Sequence, residues 1–101
     1  MRVVFTARSR GQLTAIYRFI AERSTHDVAR RYVDAIYDHC QGLALSPYRG
    51  TVRADVEGGL RIIGFRKRVA IAFAVDGDRV RIVGIYYGGQ SLETLLPGAD
   101  G

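Results

Sequence analysis

The chain has 101 residues, 48% hydrophobic and 25% charged, with 12 glycines and 2 prolines, an ordinary globular composition that fits one domain over 1–101 and excludes general disorder. Fifteen basic residues against ten acidic give a formal net charge of +5, which favours an anionic partner unless the arginines only solvate the surface. Cys40 is the only cysteine, which excludes an intrachain disulfide and fits a reducing cytoplasm, and no apolar run approaches the ~20 residues of a membrane-spanning helix.

Val3 to Thr6 reads as a short opening strand. From Ala7 to Arg23, Leu13, Ile16, Tyr17 and Ile20 recur at i, i+3, i+4 and i+7, which predicts an amphipathic helix. Ser24 and Asp27 then have the spacing of a capping pair. A second helix follows, with Val28, Ala29, Tyr32, Val33, Ile36, Tyr37, Cys40, Leu43 and Ala44 in helical register to about Leu45, and Ser46-Pro47 ends it. So short a connection predicts an antiparallel helical hairpin.

Past Pro47 the helical period is lost. Thr51 to Asp55 and Leu60 to Arg66 read as strands around a Glu57-Gly58-Gly59 turn, and Arg66-Lys67-Arg68 makes the next reversal. Val69 to Val75 and Val80 to Tyr87 flank Asp76-Gly77-Asp78, a hairpin signature of the type I′ kind. Val69, Ile71, Phe73 and Val75 form one face of the first of these strands and Ala70, Ala72 and Ala74 the other, so it should be central and covered on both sides. In the last strand, alternation places Val80, Ile82, Gly84 and Tyr86 together, away from Arg79 and Arg81. Leu92, Leu95 and Leu96 stand at i, i+3 and i+4, enough for one amphipathic turn, and 97–101 reads as a disordered end.

Chemistry-bearing motifs are weak. His26 and His39 are thirteen residues apart and Cys40 adjoins His39, spacings that suit no metal site. Neither a nucleophile elbow, a phosphate loop nor a dinucleotide fingerprint is present, and no cofactor is expected. Arg49, Arg53, Arg61, Arg66, Lys67, Arg68, Arg79 and Arg81 are all in the strand-rich half, where they could hold a phosphate, but guanidinium is a poor base.

The order of elements, with Ala29-Arg-Arg-Tyr-Val-Asp-Ala-Ile36, Leu43-Ala-Leu-Ser-Pro-Tyr-Arg-Gly50, Gly59-Leu60-Arg61 and Tyr87-Gly-Gly-Gln-Ser-Leu-Glu93, resembles the ParE toxins of type II toxin-antitoxin systems. The resemblance implies an α+β fold of the RelE/ParE kind, a helical hairpin on one face of a small twisted, mainly antiparallel sheet. It implies a cytoplasmic, non-catalytic toxin that inhibits DNA gyrase and is neutralised by a ParD-like antitoxin, without sequence-specific DNA binding of its own. On this view Arg61, Arg66, Lys67, Arg68, Arg81, Gln90, Glu93, Leu95 and Leu96 are candidates for target binding, and Ala70, Ala72, Ala74, Tyr17 and Tyr87 for antitoxin binding. RelE-like relatives instead cleave messenger RNA on the ribosome, with a basic cluster and a C-terminal Arg and Tyr. Here Gln90 stands where Arg is usual and no Tyr follows, so that alternative would fall to Arg61 and Arg81; an antitoxin-binding protein without toxicity is the third expectation.

Overall fold

The computed structural model describes residues 1–53 and 59–88. Strand β1 (Arg2–Phe5) leads into α1 (Ala7–Arg23) and α2 (His26–Gln41), a 3₁₀ turn follows at Gly42–Ala44, and β2 (Thr51–Arg53), β3 (Leu60–Phe65), β4 (Val69–Asp76) and β5 (Arg79–Tyr87) complete the described elements. The expected extension of β2 to Asp55, the Glu57-Gly58 part of its turn, the leucine turn at 92–96 and the disordered end at 97–101 fall outside the described residues.

Caps define both helices. The Thr6 side-chain hydroxyl accepts from the Ser9 amide at 3.1 Å, satisfying an otherwise orphaned donor of the first turn, and the buried Ser9 hydroxyl donates to the Thr6 carbonyl at 2.9 Å. Thr25, not Ser24, caps α2 by accepting from the Val28 amide at 3.1 Å. Ser24 instead closes α1, its amide bonded to the Ile20 carbonyl. The helix also ends sooner than its apolar pattern suggests, because the chain tightens into the 3₁₀ turn, and Leu45 emerges 91% exposed.

The five strands are ordered β1-β5-β4-β3-β2. All neighbours are antiparallel except β1 and β5, which run parallel with Val3 beside Val80 and Phe5 beside Ile82. β4 is the central strand, as its two apolar faces require. Its side towards the helices carries Val69, Ile71 and Phe73, which join Leu13, Ile16, Ile36, Leu43, Ile63, Phe65, Ile82 and Ile85 in the main core. Ala72 and Ala74 form a second buried cluster with Leu60 and Tyr86 on the opposite side.

Gln12 links the helices to the sheet: its Oε1 accepts the Ile85 amide at 2.7 Å. β1 stops at Phe5, beside Ile82, so this side chain satisfies a backbone donor of β5 beyond the end of its neighbour.

One turn expectation is corrected. The Asp76–Arg79 turn has a positive φ at Gly77 (63°) and at neither aspartate, the signature of type II′. The type I′ signature occurs instead at the basic reversal, where the Arg68 amide donates to the Phe65 carbonyl and the central residues Arg66 and Lys67 have φ of 50° and 60°.

Candidate partner-binding surfaces

A register shift in β5 decides which side chains share a face. Phe73 pairs with Ile82 and Ala72 with Gly84, leaving Val83 as the extra residue. Alternation therefore reverses across this bulge. Tyr86 falls opposite Ala70 and clusters with Ala72 and Ala74, whereas Tyr87 falls opposite Val69 on the helix side. The expectation that Tyr86 continues the face of Val80 and Ile82 is thus reversed. The Tyr87 ring meets Phe19 and Tyr32 edge-on, with centroids 5.4 and 5.8 Å away.

Of the antitoxin candidates, Ala70, Ala72 and Ala74 share the sheet face away from the helices. Tyr17 and Tyr87 do not join them. Tyr17 is paired with His26, its hydroxyl 2.9 Å from Nδ1, and Tyr87 is half-buried on the helix side against Phe19 and Tyr32.

Arg61 and Arg81 are separated by the sheet itself. Arg61 pairs with Phe73 on the helix side and Arg81 with Ala74 on the other, so the two do not converge on one phosphate. Arg61 is also engaged locally: Nη1 donates to the Tyr48 carbonyl at 2.9 Å, and the guanidinium lies 5.2 Å from the Tyr48 ring centroid. Arg81 makes a long, exposed ion pair with Asp76 at 3.9 Å, which contributes little in water.

Arg66, Lys67 and Arg68 project together from the strained reversal, all exposed. The Arg66 guanidinium lies 4.9 Å from the Phe65 ring centroid and 5.8 Å from that of Tyr32, contacts that favour a cation over an aromatic face. Beneath it, the Tyr32 hydroxyl is buried without a hydrogen-bond partner. Burial first, and then Tyr87, push its pKa above 10, while Arg66 and Arg68 pull the other way. Gln90, Glu93, Leu95 and Leu96 lie outside the described residues, so their relation to this basic turn stays an expectation.

The structure also groups residues that linear spacing does not. His39 comes from α2 to lie 5.2 Å, ring to ring, from Phe65 on β3. Burial and then Arg49 lower its pKa below 6.5, partly opposed by a backbone hydrogen bond at Gly64, so the ring is neutral at pH 7. The only hint in the sequence is the helical phase that puts His39 next to buried Cys40. Burial pushes the Cys40 thiol up to about 12. Among the described residues no group of three His, Cys, Asp or Glu side chains could hold a metal.

The protein family described as "ParE toxin of type II toxin-antitoxin system, parDE" matches residues 3–92. Comparison with the curated proteins gives no match. Among solved structures, one described as "Chromosomal ParDE TA system from P. aeruginosa" is similar over 88% of this chain and 97% of that chain, with a TM-score of 0.76 and 20% sequence identity. At that identity the likeness speaks for the fold. No helix among the described residues is long and apolar enough to cross a membrane.

Proposed function

The chain belongs to the ParE toxin family of type II toxin-antitoxin systems, and from this premise we propose that it binds and inhibits DNA gyrase in the cytoplasm, without catalysis, until a ParD-like antitoxin neutralises it. The observation that carries the reading is the family match over nearly the whole chain. The gyrase surface is proposed at the basic reversal Arg66-Lys67-Arg68 together with the segment that holds Gln90, Glu93, Leu95 and Leu96. The exposed cations of this reversal suit an acidic protein surface or DNA phosphates near it. The separation of Arg61 from Arg81 supports the non-catalytic reading over mRNA cleavage, which would need their charges at one phosphate.

Antitoxin binding is proposed along the sheet, where apolar β4 and its neighbours offer a frame on which a disordered segment can order. Induction in bacteria tests the whole reading. Filamentation with a DNA-damage response is the expected outcome, and co-expression of the ParD-like partner should relieve it. Immediate translation arrest with codon-specific breaks in toeprints would overturn the gyrase assignment.

A further inference from the structure

The loop from Leu45 to Gly50, between the 3₁₀ turn and β2, is fixed from beneath and bare above. Fully buried Leu43 anchors its approach, and the Leu45 amide donates to the Gly42 carbonyl at 3.2 Å. Arg61 on β3 holds the middle by donating to the Tyr48 carbonyl at 2.9 Å. At the far end Gly50 has a φ of 84°, and a Cβ there would overlap the Ile62 carbonyl and the Ile63 side chain, so the loop backbone lies directly on β3.

Its side chains nevertheless face water. Leu45 and Tyr48 are 91% and 65% exposed, and Val52, two residues past the loop, is exposed as well. Three of the seven exposed large hydrophobic residues among the described residues thus fall within eight positions, a clustering that scattered surface hydrophobics do not explain. Arg61 joins two of them: its guanidinium lies 5.2 Å from the Tyr48 ring centroid, and Val52 stands directly opposite it in the β2–β3 pairing.

The surface runs on into the basic reversal. Arg61, Ile63 and Phe65 alternate onto one side of β3, which puts Arg66 roughly 16 Å along the strand from Arg61. Exposed Arg49 lies close to His39, whose ring meets Phe65, and Arg66 lies over that same Phe65 ring. Among the described residues no carboxylate is within ion-pair reach of Arg49, Arg61, Arg66 or Lys67.

We propose that the 45–50 loop docks on the target protein, at an acidic surface with an apolar pocket. Leu45 and Tyr48 enter the pocket, and Arg49 and Arg61 meet carboxylates at its rim. A loop already held in place loses little freedom on docking, and tyrosine and arginine are the residue types that most often dominate an interface. A nucleic acid would use the arginines and leave Leu45 and Val52 in water. A second copy of this chain would oppose Arg49 and Arg61 of two molecules at a net charge of +5 each, whereas an acidic target neutralises them. The inference rests on the gyrase reading above and adds this loop to the basic reversal as part of the target's interface.

The test compares the full chain with its Leu45→Asp and Tyr48→Ala variants, using purified DNA gyrase as the probe. Both side chains are exposed, so each melting temperature should stay within about 3 °C of the wild type. Inhibition of supercoiling should require about tenfold more of either variant, the scale of losing one interface anchor. Affinity for the co-expressed ParD-like antitoxin should change by less than about threefold, as for a surface change outside its contacts. In the wild-type chain, hydroxyl-radical labelling of Leu45 and Tyr48 should drop when gyrase is added, a readout independent of how the variants fold. Undiminished labelling, or wild-type inhibition by both variants, would overturn the docking surface while leaving the gyrase reading intact. A parallel loss of antitoxin affinity, of binding to DNA alone or of self-association would overturn it in favour of that other occupant. Failure of the wild-type chain to bind or inhibit gyrase at all would refute both.

Discussion

The Tyr86 side chain lies back along its own strand over Gly84. A Cβ at position 84 would come within 2.5 Å of the Tyr86 hydroxyl and 2.7 Å of its ring. The ring therefore occupies the space that every residue but glycine would fill, and it closes the small cluster with Leu60, Ala72 and Ala74. Gly84→Ala is expected to displace the ring and cost about 1–3 kcal/mol, the scale of overpacking a filled site. Tyr86→Ala should relieve most of the clash, so G84A placed on the Y86A background should cost much less than on the wild type. Thermal unfolding of the four proteins in the cycle measures this coupling.

The basic reversal carries strain that its sequence need not have. Left-handed backbone costs a non-glycine residue about 1 kcal/mol, and both Arg66 and Lys67 adopt it. Replacing the pair with Asn-Gly, the residues a type I′ turn favours, should raise stability by about 1 kcal/mol after loss of the exposed Arg66–ring contacts. If this turn meets the target, toxicity should fall in a variant that melts higher. Unchanged toxicity would remove Arg66 and Lys67 from the proposed surface.

Tyr32 offers a change of opposite sign to ordinary core truncation. Its hydroxyl is buried and unpartnered, so Tyr32→Phe removes a desolvated polar group and leaves the ring contacts with Phe65 and Tyr87 in place. Stability should be unchanged or up by about 1 kcal/mol. A clear loss in chemical denaturation would indicate that the hydroxyl has a partner in solution, an ordered water being the simplest.

His39 predicts a pH dependence. Its folded pKa lies below the ordinary 6.5, so the unfolded chain takes up the proton first as pH falls. The stability of the neutral ring is fully present above about pH 6.5 and declines as pH drops towards the folded value. Melting temperatures between pH 8 and pH 5 should fall more in the wild type than in His39→Gln. Parallel curves would exclude this histidine as the source.

Cys40 should be inert in the folded protein, since it is fully buried and its thiol is pushed up to about 12. The thiolate is the reactive species. A thiol reagent at pH 8 should modify less than a tenth of the protein on the timescale that labels a free thiol, by the roughly ten-thousandfold scarcity of thiolate, and one equivalent after unfolding. Rapid labelling of the native protein would show that α2 opens locally.

The sequence by itself determined the elements whose physics is local. Helical spacing of Leu13, Ile16 and Ile20 marked α1, the short link before His26 required a hairpin, and the doubly apolar run from Val69 announced the central strand. Even some local features depended on competition between neighbours: Ser24 and Thr25 can both cap, and only the geometry of the link assigns Thr25 to α2. Pairing was decided elsewhere. Nothing in Arg2–Phe5 says that it lies parallel to β5, because that partner is brought close only after both helices have crossed the sheet. The bulge at Val83 exchanged the faces of Tyr86 and Tyr87 against strict alternation, since one unpaired residue shifts every later side chain by half a period. The candidate surfaces followed the same division: the Arg66-Lys67-Arg68 turn was legible as a run of charge, but the opposition of Arg61 and Arg81 and the grouping of Tyr48, Val52 and Arg61 required the register of the sheet and the seating of the 45–50 loop upon β3.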